Sequence, residues 1–459
     1  MARKEKDKLR RSLGFFSLTN IVIANMIGAG IFTTSGLLMG DVGNPWLLLL
    51  LWGVGGVLAL CGALSYGELG AAMPQAGGEY NFLSKLFHPL YGFLSGWASF
   101  IAGFSAPIAA SAIGFSAYFF RAFPQLGSTM GLSMDTNKKL VSIFVILVFS
   151  MVHLRGIKFG AKVQNYLTLF KVTLVIGLLV IGFLWGKGDL SHFTDQVATS
   201  SDFGSWKTAG LSLMWIMFAY SGWNASVYVG SEIKDPKKNL AKSLIIGTLI
   251  VTLLYVLLNI LFVYAIPPAD MKGVIAIGGL AVNNLFGSST DTIISLLISF
   301  ALFSSLSAFI IIGPRVYYAM AKDGYFFKFL AKVHPVFKVP SKAILTQALA
   351  SIVLVLSGTF DQILTYMGFA LGIFPILTVI GLFKLRRSGL SVLKLPGYPW
   401  VQVFYILISL SILILAFFER PMESSIALLS LLAGIPIFVA FKYLQRHTDS
   451  KAPGNRSEN

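Results

Sequence analysis

The chain has 459 residues, 56% of them hydrophobic and only 12% charged, with a mean hydropathy of +0.76. Soluble domains carry about 25% charged residues, so this composition excludes a soluble enzyme or binding module. The net charge of +17 implies no nucleic-acid partner, because in a membrane chain it reflects basic loops on the cytoplasmic side.

Residues 1–13 form a basic tail (MARKEKDKLRRSL). It resembles the start of a signal peptide, but no small-residue cleavage site ends a short apolar core, so it feeds an uncleaved first helix. From there apolar runs of about 20 residues recur to the end of the chain, each long enough to span a lipid bilayer. They predict an all-α membrane protein with twelve transmembrane helices: 14–40, 46–72, 90–120, 139–154, 163–185, 206–231, 241–266, 290–319, 341–358, 361–383, 401–418 and 423–444. With the N-terminus inside, Lys and Arg are about fourfold more frequent in the inside segments than in the outside ones, a positive-inside bias. This places both termini in the cytoplasm and the protein in the inner (cytoplasmic) membrane. The outside stretch 267–289 is predicted to cap the outer vestibule, and 445–459 to be a disordered cytoplasmic tail. The one cysteine, Cys61, falls inside an apolar run, so no disulfide-linked subunit is expected.

Two of these spans are interrupted. Span 1 contains Ile27-Gly28-Ala29-Gly30-Ile31-Phe32, and span 6 contains Phe218-Ala219-Tyr220-Ser221-Gly222-Trp223-Asn224. Taken alone, the first stretch also fits a small-residue face for close helix packing. Taken together, two Gly-interrupted spans in corresponding positions of inverted halves point to a transporter binding site. A broken helix offers free N–H groups at the start of its second half and free carbonyls at the end of its first. The N–H groups of Ala29, Gly30 and Ile31 suit a carboxylate. The carbonyls near Met26 and Ile27, with those of Phe218 and Ala219, suit an ammonium. A substrate with both charges a few Å apart is an α-amino acid. Phe218, Tyr220 and Trp223 read either as an aromatic wall, with Tyr220 and Trp223 as gates, or as ordinary core in a chain that is 14% aromatic. Lys171 lies about nine residues into span 5, roughly 13 Å along the helix and beyond easy snorkelling, and an ionisable group at that depth is a functional candidate. Arg315 is read as reaching the interface at the inner end of span 8, Glu68 as a paired structural or gating carboxylate, and Glu232 to Lys238 as a solvated helix end. His88, His153, His192, His334 and His447 fall in loops, tails or near span ends without metal spacing, and there is no GxSxG or HExxH. No metal, cofactor or enzyme activity is therefore expected, and no charge ring or filter loop suggests a channel.

Gly28-Ala29-Gly30-Ile31-Phe32 resembles the GxGIF signature of the amino acid–polyamine–organocation (APC) superfamily. Tyr66-Gly67-Glu68-Leu69 with Pro74 and Gly77-Gly78-Glu79-Tyr80, Phe218 to Asn224 followed by Glu232-Ile233-Lys234-Asp235-Pro236, and Arg315 with Ala321-Lys322-Asp323-Gly324 resemble further segments of its L-type-like bacterial amino acid permeases. The match runs from residue 14 to about 440. It implies a LeuT-type fold of two inverted five-helix repeats (14–185 and 206–383), with helices 11 and 12 (401–444) outside them and helices 1 and 6 discontinuous. It also implies that the two breaks hold the amino acid backbone. Lys171 falls where many sodium-independent members carry a lysine whose ammonium replaces a bound Na⁺, with Ser304 and Ser305 as expected neighbours. Leu371-Gly372 stands where L-type members often have an Asn, and Ala24 where a Gly is common. With Ala29, Ser221 and no acidic group expected in the pocket, the substrates are expected to be neutral L-amino acids. They would be carried by sodium-independent alternating access, as an exchanger or proton-coupled symporter. The alternative within the superfamily is a basic amino acid or polyamine antiporter.

Overall fold

The computed structural model describes residues 9–129, 132–195, 206–274, 277–287, 291–357 and 360–450. Nine helices among them are long and apolar enough to cross a membrane, and no strand occurs beyond an isolated bridge between Leu13 and Ile233. This is an all-helical, multi-pass membrane protein. The main helices are α1 (Phe15–Met26), α2 (Ala29–Val42), α3 (Pro45–Ala72), α4 (Glu79–Leu86), α5 (Pro89–Ala98), α6 (Ala106–Ala122), α7 (Met134–Leu154), α8 (Ile157–Trp185), α9 (Trp206–Tyr220), α10 (Pro236–Ala265), α11 (Asp291–Lys322), α12 (Ser341–Ser357), α13 (Phe360–Arg387), α14 (Trp400–Glu419), α15 (Pro421–Leu432) and α16 (Gly434–Ser450). The last helix thus runs beyond the expected end at 444 to Ser450; 451–459 lie outside the described residues. A π-helical turn, Ser99–Ser105, joins α5 to α6.

Local chemistry sets several helix ends. Asn44 caps α3 by accepting from Leu47 N at 3.1 Å, with Pro45 in the first turn where its missing N–H costs nothing. Gly43 ends α2 in the left-handed region at φ 62. The first span, α1 with α2, is the most enclosed and α14 the least: 82% against 22% of their apolar windows are buried. The interrupted span is therefore the axis of the bundle, and α14 faces lipid.

The packing has an internal regularity. The second half of span 1, α2, lies against α9; α3 lies along α10, α6 along α11, and α7 along α12. Each of the first four spans therefore packs on the span five positions later.

On the face carrying the N-terminus, the Ser12 and Leu13 N–H groups donate to the Glu232 carbonyl at 2.8 and 2.9 Å. Here two expectations fail. Glu232 is fully buried rather than solvated, and Arg315 is 1% exposed rather than reaching the interface. The two form a bidentate pair, Nε to Oε2 at 2.9 Å and Nη2 to Oε1 at 3.1 Å. Neither charge is tolerable alone in that setting; paired in fork geometry, each satisfies the other. Glu68 is paired, with Arg386 at 2.7 and 2.6 Å, and also accepts from Ser391 Oγ and Leu395 N. On the opposite face, the short helices Pro268–Met271 and Ile277–Phe286 fold against α2, and Gly273 N donates to the Gly36 carbonyl at 2.9 Å.

Candidate functional site

The break in the first span is two residues long. Ile27 ends α1 with ψ at 93, Gly28 is extended, and no side chain caps the new helix start. The second break is longer: α9 stops at Tyr220, residues 221–224 turn, and a 3-10 helix follows over Ala225–Glu232. The two breaks interlock through glycine. A Cβ on Gly30 would lie 2.8 Å from Ala219 Cα, and one on Gly222, whose φ is +101, would lie 2.7 Å from the Asn25 carbonyl carbon. Gly30 therefore permits close backbone approach in addition to being placed to offer its N–H.

The carbonyls at the first break are already engaged. Lys171 Nζ, on α8 and 1% exposed, donates to the Ile27 carbonyl, to the Ala24 carbonyl at 3.3 Å and to Ser305 Oγ at 2.8 Å. Ser305 Oγ also donates to the Ile27 carbonyl at 2.9 Å. The structure thus brings Lys171, the first break and Ser305 together. Ser304 turns elsewhere, with Gln164 Nε2 at 3.1 Å and Thr168 Oγ1 at 3.4 Å. His153, expected near a span end, is buried and sits 2.8 Å from Ser307 Oγ. Tyr255, from the middle of α10, places its hydroxyl 2.5 Å from the Met26 carbonyl and 3.0 Å from that of Ala219. Sequence reasoning missed this tyrosine, because an apolar helix gives no signal that one aromatic carries a polar job.

A cavity of about 130 Å³ lies beside the second break. Phe218, Ser221, Gly222, Trp223 and Asn224 line it, with Ser95, Phe104, Tyr228 and Tyr405. Met26, Ile27, Gly30, Ile31 and Ala219 are buried but do not line it, and the Ala29 side chain lies outside the described residues. Tyr220 is fully buried away from it, donating to the Trp52 carbonyl at 3.0 Å, and its ring is tilted against those of Trp52 and Tyr255. Trp223 faces the cavity, edge-on to Tyr66 at 4.7 Å.

The absence of acid in the pocket is corrected by Glu79. This residue opens α4, is 5% exposed, and lines the cavity. Its Oε1 accepts from Tyr66 Oη at 2.7 Å and Asn224 Nδ2 at 2.9 Å, and its Oε2 from Ser95 Oγ at 3.3 Å. Burial pushes its carboxyl up from the ordinary carboxylate range, and hydrogen bonds from Tyr66, Ser95, Tyr228 and Asn224 pull it back part of the way.

No group of three or more His, Cys, Asp or Glu among the described residues is arranged to hold a metal. A sequence model of an amino acid permease family matches residues 13–441. The chain is similar to the serine/threonine exchanger SteT of Bacillus subtilis (strain 168), 29% identical over 95% of this chain and 98% of that one. It is likewise similar to the Asc-type amino acid transporter 1 of Mus musculus and the large neutral amino acids transporter small subunit 2 of Rattus norvegicus. Each of these is 26% identical over 95% of this chain and 82% of the relative.

Proposed function

The chain belongs to the amino acid permease family of the APC superfamily, a family of transporters and not of enzymes, and from that premise we propose that it carries neutral L-amino acids by sodium-independent alternating access. The substrate backbone would sit at the second break and its side chain in the adjoining cavity. The observation that carries this reading is the division of labour between the breaks: one is filled by Lys171, the other borders a cavity. Lys171 supports sodium independence, because its ammonium already occupies a cluster of oxygens that a cation would need. The relatives named for serine, threonine and large neutral amino acids support a neutral substrate. The pairing of spans 1–4 with the spans five later supports twelve helices built as a LeuT-type inverted repeat. Both termini would then be cytoplasmic, in the inner membrane.

Glu79 favours a second reading, a basic amino acid or polyamine antiporter, since a carboxylate in the cavity offers a partner to a cation. Purified protein in liposomes separates the two. Unlabelled alanine or leucine should compete with labelled alanine and drive its exchange, while arginine and putrescine should not. Dominant competition by arginine or putrescine selects the antiporter, and non-saturable flux sinks the carrier reading.

A further inference from the structure

We propose that Glu79 is the group through which this carrier binds and releases a proton. The proposal rests on the carrier reading and names its coupling ion.

Lys171 is buried beside the first break and Glu79 beside the second, and their surroundings are opposite in kind. Lys171 is surrounded by acceptors supplied by the protein: two carbonyls and a hydroxyl. Those contacts use its three N–H bonds to hold the end of α1. Glu79 has only neutral donors and no cationic partner among the described residues. A buried carboxylate without a counter-ion is costly as an anion. Neutral donors make it tolerable in both forms, which a proton site requires.

The two oxygens are not equivalent. Oε1 accepts the short hydrogen bonds from Tyr66 and Asn224, while Oε2 accepts the long one from Ser95. The proton adds at Oε2, where the Ser95 hydroxyl needs only to rotate from donor to acceptor. The carboxyl goes from −1 to neutral, and the proton comes from and returns to water reaching the cavity. The titratable groups facing Glu79 are Tyr66 from α3, Tyr228 from the 3-10 helix after the second break, and Tyr405 from α14 across the cavity. A phenol gives up its proton only well above neutral pH, so none of them competes for this proton there. The α5 neighbour, Ser95, does not titrate. The same carboxyl ties α3, α4, α5 and the second break into one cluster, so its protonation state is felt where the substrate would bind.

The experiment uses the full chain in liposomes with labelled alanine, comparing wild type, Glu79→Gln and Glu79→Asp. In wild type an inside-alkaline gradient should drive accumulation above the equal-pH level. Glu79→Gln should lose that gradient-driven component yet continue exchange at equal pH, slowed by up to about tenfold as expected for one altered hydrogen bond. Glu79→Asp should recover part of the gradient response. A flat wild-type response, or gradient-driven accumulation surviving in Glu79→Gln, overturns the proposal. So does a Glu79→Gln variant that loses only inhibition by arginine or putrescine, which would make Glu79 a substrate subsite. If wild type moves no amino acid, the carrier reading fails instead. Infrared difference spectra of the purified protein still decide: a protonated-carboxyl band that titrates in wild type and is missing from Glu79→Gln supports the proton site, and its absence from wild type removes it.

Discussion

The two breaks have similar sequence signatures and are put to different uses. At the first, Lys171, Ser305 and Tyr255 take the carbonyls of Ala24, Met26 and Ile27. At the second, four residues of turn face a cavity with Glu79 in its wall. Exposed helix ends in a membrane must be satisfied by something. At one break the carbonyls that end α1 are taken by side chains of the protein itself. The other keeps its polar groups beside a space that a ligand can enter. On the proposed function the first is a brace and the second a site.

Removing the brace should have the largest effect. Lys171→Met leaves the Ala24 and Ile27 carbonyls short of a charged donor, and hydrogen bonds to charged groups are worth about 1.5–3 kcal/mol each. Uptake in liposomes should fall by a factor of ten or more, on the order of one such bond. Replacing Na⁺ with choline should leave the wild type unchanged. Strict Na⁺ dependence of the wild type would mean that the ammonium does not fill the cation's place.

The interlock between the breaks can be graded with three alanines. Gly222→Ala should be worst, since it combines a φ of +101 with a contact at 2.7 Å to the Asn25 backbone. Gly30→Ala meets Ala219 Cα at 2.8 Å and should cost about 1–3 kcal/mol as overpacking. Gly28→Ala should be nearly silent, because its nearest neighbour is Ser305 Oγ at 3.7 Å and its backbone is extended. Thermal unfolding in detergent reads the order. Equal losses at Gly28 and Gly30 would show that the motif matters for helix propensity and not for close approach.

How far this could be read from the chain depended on whether a signal was local. The breaks were legible because glycine and polar residues interrupt runs that are otherwise apolar, and Lys171 because a charge stands out in such a run. Glu79 was not: it follows a double-glycine turn in what reads as a solvated loop, and only the folding of α4 under the bundle buries it. Arg315 and Glu232 are 83 positions apart, so each looked like an interfacial charge until the fold joined them. Tyr220 and Trp223 carry the same residue-level signal yet face in different directions, one into the packing with Trp52 and one into the cavity.

A small effect sharpens the comparison most. Tyr255 reaches both breaks with one hydroxyl, through the Met26 and Ala219 carbonyls. Tyr255→Phe keeps the ring and its edge-on contact with Trp52 at 5.4 Å, and deletes only the hydroxyl. One neutral hydrogen bond is worth about 0.5–1.5 kcal/mol net, so the fold should survive with a small drop in unfolding temperature. If the hydroxyl only bridges the two spans, the maximal exchange rate should change while the half-saturating substrate concentration stays fixed, because the bridge acts on their relative movement. If a substrate ammonium shares the Ala219 carbonyl with that hydroxyl, freeing the carbonyl should lower the half-saturating concentration severalfold. The first outcome keeps Tyr255 with the brace; the second moves the boundary between brace and site to Ala219.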